Sequence, residues 1–191
     1  RDADGRINLG FNPTGPVDRR IDLLRLERAD GSPIALIANY PIHGTVLGYY
    51  KNYEIGNTLI SGDVPGIVAR HVEEAIGAPM LFIQGAAGNI APLYTMSIDH
   101  KRGHLTEFKV LLGDEILEAN ETIRDTSVSV ELHVGERLMI ESPLRDDIQW
   151  PEPLNRYLKV TESGQRMIHL PISFLRINED IVIWAAPCEL F

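Results

Sequence analysis

The sequence has one cysteine, Cys188, in 191 residues, and no methionine at position 1. A lone thiol cannot close an internal disulfide, and without a Cys pair the zinc-finger and dithiol redox motifs are excluded. Basic side chains are scarce: 18 Lys and Arg stand against 27 Asp and Glu, a formal net charge of -9. Affinity for nucleic acid comes largely from basic groups that displace phosphate counterions, so no nucleic-acid partner is expected. Long apolar runs are also missing, and none approaches the roughly 20 residues of a membrane-spanning helix. Neither a Gly-Lys-Ser/Thr phosphate loop nor a GxGxxG spacing occurs. Internal repeats and low-complexity tracts are absent. What is present, 44% apolar and 24% charged residues, is the composition of a globular domain. The length suits a single domain, 1-191, with a sizeable core.

Periodicity then divides the chain. Arg1 to Asp18, rich in Gly, Asn, Asp and Pro, reads as a surface loop. From Ile21 the alternation Leu24-Arg25-Leu26-Glu27, the turn Ala29-Asp30-Gly31-Ser32 and the apolar run Ile34 to Ala38 predict a hairpin whose second strand is buried on both faces. From Asp63, the residues Val64, Ile67, Val68, His71, Val72, Ala75 and Ile76 follow helical spacing, with Asp63 as N-cap and Gly77 as the stop. A second apolar run, Met80 to Ile83, completes a βαβ crossover, which requires the strands ending near Asn39 and Gln84 to be parallel. A packing helix is expected from about Leu105 to Ala119, with Leu105, Phe108, Leu112, Ile116 and Ala119 on one face. Beyond it, Val128 to Val134, Ile168 to Phe174 and Ile181 to Trp184 read as strands, and Ser142 to Gly164 as a long polar excursion. The fold class is α/β, a mixed β-sheet with a βαβ crossover and packing helices.

Open α/β sheets bind ligands at the carboxyl ends of their strands. Three segments there could carry chemistry: Asn39 to Thr45 with His43, the small-residue loop Gln84 to Pro92, and Ala186 to Glu189 with its carboxylate. Each has a plain structural alternative: a hydrogen-bonded histidine, a tight turn, a solvated carboxylate. Ser61-Gly62-Asp63 could contain a nucleophile, yet a helix cap by Asp63 with Ser61 bonding the loop accounts for it more simply. His71 belongs to the helix face, His133 and His169 fall on the polar side of alternating strands, and His100 and His104 are expected in solvent. Asn120-Glu121-Thr122 matches a glycosylation sequon.

Taken in order, Ala29-Asp30-Gly31, Pro41-Ile42-His43-Gly44-Thr45, Leu59-Ile60-Ser61-Gly62-Asp63, the helix, and Gln84-Gly85-Ala86-Ala87-Gly88-Asn89 resemble the neutral, non-lysosomal ceramidase family, most strongly over Asp22 to Pro92. Pro187-Cys188-Glu189-Leu190-Phe191 is similar to that family's Pro-Gly-Glu-Phe segment, with Cys in place of Gly. The resemblance implies a zinc-dependent amidase acting on a small-molecule or lipid amide such as a sphingolipid, its metal held by two His, one Glu and one Tyr. His43 matches the second His and Glu189 the carboxylate. Imidazole and carboxylate suit Zn2+, which activates water for attack on an amide carbonyl. The first His and the Tyr would lie beyond the two ends of these residues, so the resemblance implies an incomplete portion of a catalytic domain. An extracytoplasmic or secreted location follows from it as well. One departure stands out. Where the family has Gly-Asp/Asn-x-Ser-Pro-Asn, this chain reads Gly88-Asn89-Ile90-Ala91-Pro92-Leu93, so Ala91 replaces the hydroxyl held to be catalytic. Backbone N–H groups around Gly88 and Asn89 are then the candidates for stabilising an oxyanion. The alternative that Ala91 raises is a non-catalytic lipid- or glycan-binding module on the same fold.

Overall fold

The computed structural model describes residue 12 and residues 14–47, 60–92, 104–135 and 138–190. Most of the expected leading loop, together with Leu59, Leu93 and His100, lies outside them. The chain divides into two compact units, residues 1–126 with 190–191, and residues 127–189.

The first unit is built on the hairpin β1 (Asp22–Glu27) and β2 (Pro33–Tyr40), followed by helix α1 (Asp63–Ile76) and strand β3 (Met80–Gln84). Strand order is β1-β2-β3, with β1 antiparallel and β3 parallel to β2, so the expected mixed sheet and crossover are both present. Gly31, at φ +83, closes the hairpin turn, and Asp30 Oδ1 accepts from the Ser32 N–H and hydroxyl. Helix α1 ends at Gly77 in the left-handed region, its N–H donating to the Glu73 carbonyl. These are the stops that turn and cap chemistry demands.

Helix α1 lays Val64, Val68 and Val72, all fully buried, over Leu36, Ala38 and Met80 of the sheet. Register explains the pattern: Leu36 lies beside Met80, and Ala38 beside Leu23 and Phe82, on one face. The opposite face is barely covered among the described residues, with Ile37 only half-buried and Leu81 55% exposed. The expectation that β2 is buried on both faces is therefore corrected. Its continuous apolar run reflects small alanines between larger residues, which a one-sided strand also accommodates.

The expected packing helix runs from His104 to Thr122, as α2 (His104–Phe108), a π-helical stretch (Lys109–Asp114) and α3 (Glu115–Thr122). Its buried face carries Phe108, Leu112 and Ile116. Arg25 of β1 clips the far end of this helix to the sheet, donating to the Asn120 carbonyl at 3.0 Å and the Ile123 carbonyl at 3.3 Å. Arg25→Met keeps the apolar stem and removes those donors, one of them to the Asn120 carbonyl that also accepts the Ile123 N–H, together with the Arg25 ion pair to Glu27. We expect it to lower unfolding free energy by about 1–2 kcal/mol, read from urea denaturation.

The second unit is an antiparallel sheet centred on the long strand β7 (Arg166–Ile177). The first half of β7 pairs with β5 (Leu138–Pro143) and β6 (Leu158–Val160), the second half with β4 (Leu132–Val134) and β8 (Ile181–Ala185). The β7–β8 turn places Asn178 at φ +52, and its Oδ1 accepts the Glu131 N–H. Two expectations need correction here. The alternating segment from Val128 enters the sheet only at Leu132. The polar excursion contains a 3-10 turn (Glu152–Tyr157) and strand β6, because Pro153 suits the start of a helical turn and three residues are too few to announce a strand by alternation. His169, expected on a polar side, is almost fully buried and lies 3.1 Å from Glu141.

Candidate functional site

The parallel pairing of β2 and β3 brings their carboxyl ends together, Tyr40 beside Gln84. The two loops that leave them, carrying His43 and Gly85 to Pro92, therefore start side by side at one edge of the sheet. Gly85 makes the closest approach. Its N–H donates to the Tyr40 carbonyl at 3.2 Å, and a methyl group on its Cα would lie 2.8 Å from the Pro41 nitrogen.

His43 is half-buried, and its Nδ1 lies 2.7 Å from the Ile90 carbonyl oxygen. A carbonyl oxygen cannot donate, so Nδ1 carries the hydrogen in this contact. This is how a metal-ligating histidine is commonly held, with one nitrogen tied to an oxygen acceptor and the other facing the metal. The Gly-rich loop thus fixes the orientation of His43 through the main chain.

The same loop is tied at Gly88, whose N–H donates to the Leu190 carbonyl at 2.7 Å. In this arrangement that N–H serves as a tether to residue 190. Asn89 is exposed, and its side-chain amide donates to the Pro16 carbonyl at 3.0 Å. Ala91 is exposed and supplies no hydroxyl. Glu189 directly precedes Leu190 in sequence and is itself exposed, the last residue of the second unit. Among the described residues, no three His, Cys, Asp or Glu side chains come together as a metal-holding group. His43 and Glu189 are each of a side-chain type that ligates zinc.

Sequence reasoning missed what Asp63 does. Its carboxylate is buried and accepts from the N–H groups of Val46 at 3.1 Å, Leu47 at 2.8 Å and Val64 at 2.8 Å. Gly62, not Asp63, stands at the N-cap, which corrects the expected cap, and the Asp63 carboxylate is turned towards the loop that follows His43. Pro65 was the available signal: it has no N–H to give a capping side chain, while the Gly66 N–H bonds the Gly62 carbonyl at 2.9 Å. Ser61 acts as expected, its hydroxyl accepting the Asp63 N–H at 3.0 Å.

Elsewhere, a cavity of about 370 Å³ lined by Arg25, Glu27, Pro33, Ile76 and Asn120 opens at the opposite end of the three-stranded sheet. It is remote from His43. No helix among the described residues is long and apolar enough to cross a membrane.

The edge carrying His43 can be set beside known structures. The chain aligns with the crystal structure of neutral ceramidase from Pseudomonas aeruginosa at 17% identity and a TM-score of 0.54, over 84% of this chain and 33% of that one. The fold is ceramidase-like. A second structure, described as a ceramidase complexed with C2, aligns at 19% identity and a TM-score of 0.50, over 83% of this chain and 24% of that one. This chain thus spans about a third or less of the length of either of those structures. No family model matches the sequence, and no curated protein matches it.

Proposed function

We propose that this chain contributes to a zinc-dependent hydrolase of a C–N amide bond, ceramidase-like, in which His43 and Glu189 are metal ligands. The observation that carries the reading is the bond from His43 Nδ1 to the Ile90 carbonyl at 2.7 Å, the kind of main-chain contact that orients a metal-ligating imidazole. When bound, zinc supplies Lewis-acid activation of water and of the amide carbonyl. The chain's own part is to hold the imidazole in one orientation and to line the site with small residues, so that a substrate amide comes close to the main chain of the Gly85 to Pro92 loop. The main chain around Gly88 and Asn89 is that loop's candidate for an oxyanion contact.

In the full-length protein we expect one zinc per chain by metal analysis, and its loss in His43→Ala together with amide turnover. Stoichiometric zinc retained by that variant would sink the assignment. Ala91, exposed where the family has Ser, supports a second reading, a lipid- or glycan-binding module on the same fold. Tight lipid or glycan binding by the zinc-loaded protein, without turnover of N-acyl amides or simple esters, would favour it.

A further inference from the structure

Asp63 is held in a conformation that its position in the chain does not require. Its φ is +49, in the left-handed region that L residues other than Asn and Asp seldom adopt, and it is only 6% exposed. A buried carboxylate is costly unless its oxygens are met by donors. Here they are met by three main-chain N–H groups, of which two, from Val46 and Leu47, belong to the loop leaving His43. The carboxylate therefore joins the start of α1 to that loop. Gly44, next to His43, packs against the same residue: a methyl group on its Cα would lie 3.3 Å from the Asp63 Cβ.

His43 thus lies between two clamps. Before it, Pro41 is pressed against Gly85; after it, Val46 and Leu47 are drawn onto Asp63. We propose that Asp63 is a positioning residue, whose carboxylate sets the course of residues 44–47 and so keeps His43 Nδ1 on the Ile90 carbonyl. The inference rests on the zinc-ligand reading for its purpose, but its geometry does not depend on it.

Asp63→Asn separates the carboxylate from the backbone. Asn tolerates positive φ as well as Asp does, and its Oδ1 can still accept from Val46 and Val64. The amide NH2, however, would face the Leu47 N–H, donor against donor. The test uses full-length protein labelled with 15N-histidine, with His43→Ala to assign the His43 signals. Wild type should show Nδ1 protonated in a single state, as its bond to the Ile90 carbonyl requires, and Asp63→Asn a loss of that single state at a temperature where its circular dichroism is unchanged. Its zinc affinity, by competition with a chelator, should fall about 10–100-fold. Ser61→Ala, which removes only the acceptor of the Asp63 N–H, should move the same signals in the same direction by less. It also supplies the result if Asp63→Asn does not fold. Unchanged His43 signals in the folded variants would overturn the proposal. Should wild type hold no zinc through His43, the functional reading fails, while the comparison of His43 signals still decides what Asp63 does.

Discussion

Gly85→Ala is expected to destabilise the first unit by about 2–3 kcal/mol, in the upper part of the range for overpacking a well-filled site. The added methyl group would lie 2.8 Å from the Pro41 nitrogen, and 3.1 Å from both the Pro41 Cα and the Tyr40 carbonyl carbon. All three are main-chain atoms, so no side chain can rotate out of the way. The strands cannot slide either, because the ladder from Leu36 beside Met80 to Tyr40 beside Gln84 fixes their register. Relief comes only by parting the ends of β2 and β3, which lengthens the Gly85 to Tyr40 hydrogen bond and moves the loop carrying Ile90 away from His43. Urea denaturation should show a lower midpoint, and hydrogen exchange should show faster opening at the ends of β2 and β3 than at the start of β2. Gly66→Ala is the control of opposite sign. Nothing lies within 4 Å of a methyl group there, and alanine is favoured over glycine inside a helix by up to about 1 kcal/mol. A Gly85→Ala protein as stable as wild type would mean that the close approach does not hold the strand ends together.

The parts of this unit that were legible in the sequence are those in which one local rule suffices. Ala29 to Ser32 between two apolar stretches dictates a turn, and the valines and isoleucines from Val64 to Ile76 dictate a helix ended by Gly77. Parallel strands followed from the order strand, helix, strand, and that alone put His43 and the Gly85 loop at one edge. What remained hidden depends on main-chain partners distant in sequence. The Ile90 and Leu190 carbonyls carry no residue-type signal, and their bonds to His43 and Gly88 exist only once the sheet has formed. Asp63 was legible as a polar residue at a helix start, but its direction was settled by competition. With Pro65 unable to donate and Gly66 already bonded to Gly62, the loop N–H groups of Val46 and Leu47 take the carboxylate. Strand β6 escaped notice for another reason: three residues of alternation look like any short polar stretch.

The second large effect is expected in the core beneath α1. Phe108, Leu112 and Ile116 are spaced four apart, and each is 5% exposed or less. In a regular α-helix, a four-residue step overshoots a full turn by about 40°, so two steps would swing Ile116 roughly 80° from Phe108. The π-helical stretch between them, with its wider turn, absorbs the drift and returns Ile116 to the sheet-facing side. Ile116, with no exposed surface, then packs in one cluster with Val68, Val72 and Leu36. Ile116→Ala removes this contact at a place where both neighbours are held, the helix by Arg25 at its far end and α1 by the crossover. The cavity cannot collapse readily, and a loss of about 3–4 kcal/mol in unfolding free energy is expected. Ile116→Val should cost only about 1 kcal/mol, and Leu111→Ala, at a position 53% exposed, less than about 0.5 kcal/mol. Equal effects at positions 111 and 116 in urea denaturation would show that the π-helical stretch does not set which face is buried. While folded, the Ile116→Ala protein should keep the wild-type His43 ring signals, because neither the Ile90 carbonyl nor the Asp63 loop contains Ile116.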